Sequence, residues 1–279
     1  MSLRLYVDVP LHADLEFPLP PDAARHVQVR RLQPGDALVL FDGRGGEWAA
    51  QVLRMGKRDV DVRVGEHVES DRELPFTLEI ALGMPANERM DSLVEKATEL
   101  GVASIQPLLC ERSVLRLDGE RAQRRVDHWQ AVAAAAAEQS GRTRVPRVHE
   151  IRTLAAWMAT IASDRAAHRC VMSAPRNAPE ARLACDDDSS QETADDPTLS
   201  SVEVPSLQVH VRAIDSLGTR PGAWARWVAL SGPEGGLSAE EEAAAVAHGF
   251  ARVSLGSRTL RADTAPLAWL AQMAVLLAI

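Results

Sequence analysis

Residues 226–249 read RWVALSGPEGGLSAEEEAAAVAHG, and the fold prediction rests on this stretch. An apolar run of strand length leads into a turn with three glycines within five residues, Gly232, Gly235 and Gly236. A helix follows, because Ser238 and Glu241, three residues later, have the spacing of a capping box. Such a unit places backbone N–H groups at the carboxyl end of a strand, where open α/β folds bind their ligands.

The glycine-rich turn matches neither common nucleotide-binding fingerprint. No Lys-Ser/Thr pair follows it, as a Walker A loop requires, and its spacing is not GxGxxG. A nucleotide-binding oxidoreductase therefore lacks its signature. From spacing alone, a ligand-binding loop and a tight turn without a ligand are equally compatible with the pattern.

A second segment, residues 252–265, reads RVSLGSRTLRADTA and again leads from a strand through an irregular loop into a helix. Pro266 falls in the first turn of that helix, where proline is tolerated. Read alone, this segment is an ordinary strand-to-helix connection.

Strands and helices alternate through residues 73–279, which predicts an α/β domain with a mostly parallel sheet. The predicted strands are 76–82, 103–109, 168–172, 226–230 and 251–255. The predicted helices are 88–100, 120–139, 153–161, 239–248 and 264–278. Residues 1–72 instead contain four short strand patterns and one helix near 22–32, separated by turn signals, which predicts a small β-barrel module.

The net charge of −8 does not exclude a nucleic-acid partner, because the acidity is local. Residues 180–203 hold eight acids against one arginine, so the rest of the chain carries only −1. Within this window we expect residues 184–202 to form a mobile acidic surface insertion.

Several classes of protein lack support in the sequence. We expect no secretory signal, and the apolar tail at 267–279 is shorter than the ~20 residues of a membrane span, so we predict a buried terminal helix. The three cysteines form no CxxC pair and the eight histidines show no metal-binding spacing, so neither a disulfide framework nor a metal site is predicted. We expect a cytoplasmic protein.

Together, GPEGGLSAEE and LGSRTLRADTA resemble the signature of the 16S ribosomal RNA uridine-N3 methyltransferases, the RsmE family of the SPOUT superfamily. The blocks ERMDSLVEKATELGVASIQPLL, ERSVLRLDGER and AAAAEQSGRTRVPRV match in the same order, as do HVQVRRLQPGD and LFDGRGGEW near the start. The resemblance covers nearly the whole chain except the acidic insertion.

The resemblance implies an N-terminal PUA-like β-barrel (residues 1–72) and a C-terminal SPOUT α/β domain with a deep trefoil knot (residues 73–279). It also implies a homodimer that methylates N3 of a specific uridine in the 16S rRNA of the small ribosomal subunit, with S-adenosyl-L-methionine as cofactor. Neither a membrane nor a metal ion is among the implied partners.

Carried over by motif, the cofactor would contact three loops, largely through backbone groups. The third loop is the strand end at 172–176, MSAPR. The expected cofactor-binding residues are Met172, Ser173, Leu230, Ser231, Gly232, Pro233, Glu234, Gly235, Gly236, Leu255, Gly256, Arg258, Leu260 and Thr264.

Methylation of uracil N3 requires loss of its proton and stabilisation of negative charge on the carbonyls. Arg261 suits the second task, and Asp263 or Glu234 could accept the proton, although a structural role is equally compatible with each. Asp263 stands where the family more often has glutamate, which shortens the carboxylate by one methylene and leaves its role open.

RNA contact requires cations, and arginines supply them, since the chain has 29 Arg and 2 Lys. The residues we expect to contact RNA are Arg25, Arg30, Arg31, Arg121, Arg124, Arg142, Arg144 and Arg147. The alternatives that stay open are a knotted methyltransferase for another RNA site and a non-catalytic RNA-binding protein of ribosome assembly.

Overall fold

The computed structural model describes residues 3–86, 89–161, 167–173, 205–216 and 226–277, and the side chains of 212–216 are not part of that description. The acidic insertion predicted at 184–202 and the end of the predicted third loop, residues 174–176, lie outside these ranges. So do the last two residues of the chain.

The N-terminal part of the chain forms a five-stranded sheet in the order β1-β3-β4-β5-β2, covered by one helix. Its elements are β1 (Leu3–Tyr6), β2 (Glu16–Pro18), α1 (Pro21–Val29), β3 (Ala37–Phe41), β4 (Glu47–Met55) and β5 (Val60–Val68). β1 runs parallel to β3, and the other pairs are antiparallel.

The core of this sheet follows from its period-two pattern, since Val60, Val62 and Val64 are all fully buried while their neighbours are not. Closure into a barrel is not confirmed. β1 and β2 are the two edge strands and do not pair with each other, so the described strands form an open sheet. β2 has only three residues, too few to show a periodicity in the sequence.

The C-terminal part contains a seven-stranded parallel sheet in the order β12-β10-β11-β6-β7-β8, with β9 also paired to β7. Its elements are β6 (Thr77–Gly83), α2 (Arg89–Glu99), β7 (Ser104–Leu109), α3 (Gly119–Ser140), β8 (Arg147–Val148), β9 (Arg152–Thr153), α4 (Leu154–Ile161), β10 (Ala167–Met172), α5 (Leu207–Ser216), β11 (Arg226–Ser231), α6 (Ala239–Ala247), β12 (Ala251–Val253) and α7 (Thr264–Leu277). The predicted parallel α/β domain is therefore confirmed. The elements β2, β8, β9 and α5 were not predicted from the sequence.

Helices cover both faces of this sheet, which explains why its strands are apolar on both sides. Along β11, Trp227 and Ala229 pack in the cluster with α2, α3 and α7, whereas Val228 and Leu230 pack in the cluster with α4 and α6. The central strands thus hold the sheet between two apolar layers.

The apolar tail forms α7, whose Trp269, Leu270 and Met273 are fully buried in the first of these clusters. The prediction of a buried terminal helix is confirmed for the residues up to Leu277. No helix in the described ranges combines the length and apolarity needed to cross a membrane.

The C-terminal end of α3 joins the two sheets. Arg4 on β1 donates to the carbonyls of Ala137 and Glu138, each at 3.1 Å, and pairs with Glu47 at 2.7 Å. These carbonyls belong to the last turn of the helix, which has no intrahelical donors for them. A cation at this position also interacts favourably with the helix dipole.

Arg142, just beyond this helix end, is buried, contrary to its expected role in RNA contact. Its guanidinium pairs with Glu73 and donates to the carbonyls of Thr98 and Val102 at 2.9 and 2.8 Å. Only 6% of the side chain is exposed, so it presents no free charge at the surface. Its role is to connect residue 73, α2 and α3.

Replacement of Arg142 by alanine should reduce the free energy of unfolding by about 3–5 kcal/mol, because it leaves the Glu73 carboxylate largely buried without its partner. Arg124→Ala is the matched control, since it breaks an exposed pair with Glu120 and should cost less than about 0.5 kcal/mol. Urea denaturation of both variants measures the difference. Equal losses in the two variants would contradict the structural role of Arg142.

Candidate active site

A cavity of about 590 Å³ lies at the carboxyl edge of the C-terminal sheet, where β10, β11 and β12 end. We call it the carboxyl-edge cavity. This is the edge at which open α/β sheets bind ligands, because the strand-to-helix loops converge there. The residues that line it are Arg89, Arg112, Met172, Ser173, Ser231, Gly232, Pro233, Glu234, Gly235, Gly236, Leu237, Glu242, Ser254, Leu255, Gly256, Arg258, Thr259, Leu260, Arg261, Ala262 and Ala265.

The turn after β11, residues 231–236, is tight enough to require glycine at its first bend. A Cβ on Gly232 would lie 2.6 Å from the Leu237 nitrogen and 2.7 Å from the Gly236 carbonyl carbon, both backbone atoms that cannot move aside. Gly236 has a φ of +70°, in the left-handed region. We call these residues the glycine turn.

The helix after the glycine turn begins with the predicted capping box. The Glu241 amide donates to Ser238 Oγ at 3.3 Å, and the Ser238 amide donates to the Glu241 carboxylate at 3.0 Å. The other oxygen of Glu241 accepts from the Glu111 amide at 2.8 Å. The capping carboxylate therefore also connects α6 to the loop after β7.

Several backbone donors at the cavity have no partner in the described part of the protein. Among the described residues, the amides of Gly232, Glu234 and Gly235 in the glycine turn, and of Leu255 and Leu260 in the loop after β12, donate to no protein acceptor. All five residues line the cavity. The two loops therefore have unpaired backbone donors at the cavity, which is the type of group through which the family resemblance predicts cofactor contact.

The described part of the third loop is held by a carboxylate that the sequence analysis missed. Ser173 Oγ donates to Glu242 Oε1 at 2.8 Å, and Arg252 Nε donates to the same oxygen at 2.5 Å. Glu242 thus joins β10, β12 and α6 at the cavity wall. Glu242 lies four residues after the N-cap of α6, in the helical turn nearest the strand ends, and this position could have indicated a role at the cavity.

Two further loops reach the glycine turn from the other side. Glu234 Oε1 accepts from the Ala86 amide at 2.8 Å and lies 3.5 Å from Arg89 Nη1. Arg112 Nη1 donates to the Gly235 carbonyl at 3.0 Å. Neither Arg89 nor Arg112 was predicted from the sequence, although Arg89 begins the helix after β6 and Arg112 lies in the loop after β7, and both strands end at this edge.

Most of the expected cofactor-binding residues meet at the cavity. Leu230 and Thr264 do not line it: Leu230 is fully buried inside the sheet, and Thr264 is exposed at the start of α7. Of the expected catalytic residues, Glu234 and Arg261 line the cavity. Asp263 is not among its lining residues, but its Oδ1 is buried without a hydrogen-bond partner in the described part of the chain.

The arginines expected to contact RNA lie in several parts of the fold. Arg121 and Arg124 are exposed in the first turns of α3, near the loop that leads from the carboxyl edge. Arg144 is exposed just beyond the other end of this helix, and Arg147 is exposed next to residues that hydrogen-bond Gln130 in its middle. The remaining exposed members, Arg25, Arg30 and Arg31, lie in α1 or directly after it. None of these arginines lines the carboxyl-edge cavity.

A second cavity, of about 430 Å³, lies at the opposite, amino edge of the sheet. It is lined by the first residues of β7 and β11, by the middle of β6 (residues 79–81) and by α4, and Arg226 there pairs with Glu79 at 2.6 Å. Arg147 is the only expected site residue in its lining. The carboxyl-edge cavity is therefore the candidate active site.

Cys110 lies behind the glycine turn and is buried. Burial, and secondarily the Glu241 carboxylate, raises the pKa of its thiol to about 12. A Cβ on Gly83 would lie 3.1 Å from its Sγ and 2.5 Å from Pro233 Cδ, which shows how closely β6 packs against the turn. A raised thiol pKa leaves little thiolate at neutral pH, so we expect this cysteine to serve packing rather than chemistry.

Known protein families match most of the chain. A family model described as the RNA methyltransferase domain matches residues 72–274, and one described as the RNA methyltransferase PUA domain matches residues 19–65. A relative from Synechocystis sp., named ribosomal RNA small subunit methyltransferase E, is 31% identical over 250 residues that cover 90% of this chain and 69% of the relative.

Two solved structures share the whole architecture. A ribosomal RNA small subunit methyltransferase E from Neisseria gonorrhoeae, bound to S-adenosyl methionine, aligns with a TM-score of 0.74 at 29% identity over 99% of this chain and 98% of its own. A putative methyltransferase from Legionella pneumophila, in complex with the same cofactor, aligns with a TM-score of 0.75 at 27% identity over 100% and 98% of the two chains.

In the native protein, Cys110 should resist iodoacetamide at pH 8, because with a pKa of about 12 roughly one thiol in 10⁴ is ionised there. In urea the same cysteine should be alkylated readily, since unfolding restores an ordinary thiol. Mass spectrometry of the Cys110 peptide measures both rates. Rapid alkylation in the native state would show that the packing behind the glycine turn is loose.

Proposed function

The chain belongs to the ribosomal RNA small subunit methyltransferase E (RsmE) family, and we propose that it transfers a methyl group from S-adenosyl-L-methionine to N3 of a specific uridine in the 16S rRNA of the small ribosomal subunit. The observation that carries the proposal is the meeting of the loops after β10, β11 and β12 at one cavity. The relatives from Neisseria and Legionella hold this cofactor within the same architecture.

The residues at the cavity fit S-adenosylmethionine. A volume of about 590 Å³ is within the range of small-molecule sites, and the lining combines apolar side chains with a few polar groups. Gly232 lets the backbone bend where any Cβ would strike it, and the free amides of both loops suit the polar atoms of the cofactor. We propose that Ser231–Gly236 and Leu255–Leu260 hold it, with Met172 and Ser173 at the side.

When bound, the cofactor supplies an electrophilic methyl group on a sulfonium. Uracil N3 carries a proton at neutral pH, so the protein must accept that proton and position N3 in line with the methyl group. We propose that Arg261 stabilises the negative charge that develops on the uracil carbonyls. Its exposed guanidinium lines the cavity and forms no ion pair among the described residues.

Glu234 and Asp263 are the alternative proton acceptors. Glu234 lines the cavity, but one of its oxygens already accepts from the Ala86 amide and lies near Arg89. Asp263 has a buried oxygen without a partner, one residue before α7 begins. An unsatisfied buried carboxylate oxygen is costly, so we expect it to gain a donor when substrate binds.

We also propose the knot that the family resemblance implies. Ser206, ahead of α5, bridges to Ser254 at the outer side of β12, although β12 forms later in the chain. After β12 the chain returns to α7, which packs against β11 and β6. β12 therefore lies between the sheet and a segment that precedes it in the chain. This arrangement supports a knot in which the C-terminal part of the chain passes through a loop formed earlier.

The partners that we propose follow from the same family. RNA would contact the exposed arginines of the N-terminal module and of α3, and the enzyme would act as a homodimer in the cytoplasm, where small ribosomal subunits are present. Of the two expected domains, residues 1–72 would then contribute to RNA binding, and residues 73–279 would carry methyl transfer together with further RNA contacts.

Incubation with radiolabelled S-adenosylmethionine and small ribosomal subunits from a strain that lacks this modification should label one uridine at N3. Digestion and mass spectrometry of the 16S rRNA identify the base and the atom. Transfer to another base would refute the proposed substrate. Absence of transfer to subunits and to naked rRNA would instead favour a non-catalytic assembly protein.

Gly232→Ala should weaken cofactor binding at least tenfold, because the new methyl group strikes the backbone at residues 236–237 and displaces the turn. Isothermal titration with S-adenosylmethionine measures the change. Gly65→Ala is the control, since that glycine lies in β5 and its added Cβ would approach the Ala49 oxygen only to 3.3 Å. Unchanged affinity in Gly232→Ala would refute the assignment of the glycine turn.

A further inference from the structure

Two arginines lie on the side of the carboxyl-edge cavity that none of the cofactor loops supplies. The strand order β12-β10-β11-β6-β7 fixes the order of the loops along this edge. The three proposed cofactor loops follow β12, β10 and β11, whereas Arg89 and Arg112 follow β6 and β7. Arg258 and Arg261 lie in the loop after β12, so arginines flank the glycine turn on both sides.

The positive charge of these four side chains is largely unneutralised. Arg112 donates to a carbonyl rather than a carboxylate, and among the described residues neither Arg258 nor Arg261 forms an ion pair. Glu234 lies 3.5 Å from Arg89, which is a loose contact. Glu242, the other acid in the lining, is already paired with Arg252.

The charge of the cofactor does not account for this arrangement. S-adenosylmethionine carries a sulfonium, an ammonium and one carboxylate, so it is itself a net cation and offers a single anionic group. Four exposed arginines at one mouth exceed what that carboxylate requires. A second, strongly anionic ligand is the chemistry that they fit.

A base that is to be methylated must leave its stack and enter the cavity. Its sugar and the phosphates on either side then remain at the mouth, where the arginines lie. Arginine forms bidentate hydrogen bonds with phosphate, and several such contacts hold a strand in register.

We propose that Arg89 and Arg112 bind the phosphate groups of the RNA strand next to the target nucleotide, on the side of the cavity opposite Arg258 and Arg261. The inference rests on the proposed function and names the position at which its RNA substrate enters. It assigns to α2 and to the loop after β7 a role in substrate binding that the cofactor does not share.

The test compares Arg89→Gln/Arg112→Gln with the wild-type protein and with Lys96→Gln. Lys96 lies on the same helix as Arg89 and is paired with Glu95 and Glu99, so its replacement removes one charge away from the cavity. The measurements are the Kd for S-adenosylmethionine by titration, and the Kd for unmodified small subunits by filter binding over a range of salt concentrations.

In the double variant we expect the affinity for subunits to fall about tenfold for each arginine removed, since each charged hydrogen bond is worth about that factor. The slope of log K against log salt should become less steep by roughly 0.7 per lost phosphate contact with a single strand. Cofactor affinity should fall by a smaller factor than the affinity for subunits, and that smaller loss reflects the contacts of Arg112 and Arg89 with Gly235 and Glu234 of the glycine turn. Arg89→Lys/Arg112→Lys should recover the salt slope, because it keeps both charges.

Two results would overturn the inference. One is a double variant that binds subunits with the affinity and salt slope of the Lys96→Gln control. The other is a loss confined to cofactor affinity, which would assign the arginines to the cofactor carboxylate. The binding measurements do not depend on turnover. A wild-type protein that binds subunits but transfers no methyl group would contradict the proposed function. The comparison of the arginine variants would still test whether Arg89 and Arg112 bind RNA.

Discussion

The pairing of β11 between β10 and β6 is the constraint on which the site depends. Six consecutive residues, Arg226–Ser231, are in register with β6, and five of them also pair with β10. Both faces of the strand are buried under helices, so a slip along either neighbour would misplace every side chain in two apolar layers. The position of the glycine turn along the strand direction is therefore fixed relative to the loops that follow β12, β10, β6 and β7.

Three carboxylates connect the loops at this shared edge to one another through hydrogen bonds. Glu234 accepts a hydrogen bond from the amide of Ala86, and Glu241 accepts one from the amide of Glu111. Glu242 accepts hydrogen bonds from the side chains of Ser173 and Arg252. Each belongs to the glycine turn or to the first turn of α6, and each reaches a loop that is distant in sequence. Acidic residues are favoured at this helix end by its dipole, so the same charges stabilise the helix and position the loops.

Arginines in this protein serve two opposite purposes that composition cannot separate. Arg4 and Arg142 have few exposed atoms: Arg4 joins the C-terminal end of α3 to the N-terminal sheet, and Arg142 joins it to Glu73 and to the end of α2. Arg112, Arg258 and Arg261 are exposed at the mouth of the cavity. The first group satisfies buried carbonyls and carboxylates, and the second offers its charge to a ligand.

The alternation of strands and helices, the capping box at Ser238 and the burial of the terminal helix could be predicted from the sequence, because each depends on neighbours within a few residues. Other features became visible only in the folded chain: the two open edges of the N-terminal sheet, the backbone clash that a Cβ at residue 232 would cause, the strands β8 and β9, the burial of Arg142, and the position of Arg89 and Arg112 at the cavity. The two short strands have two residues each, too few for a periodicity. Arg142 meets Glu73 across 69 positions of sequence, and Arg112 meets Gly235 across 123. Such contacts follow from the order of strands in a sheet, which no local pattern specifies.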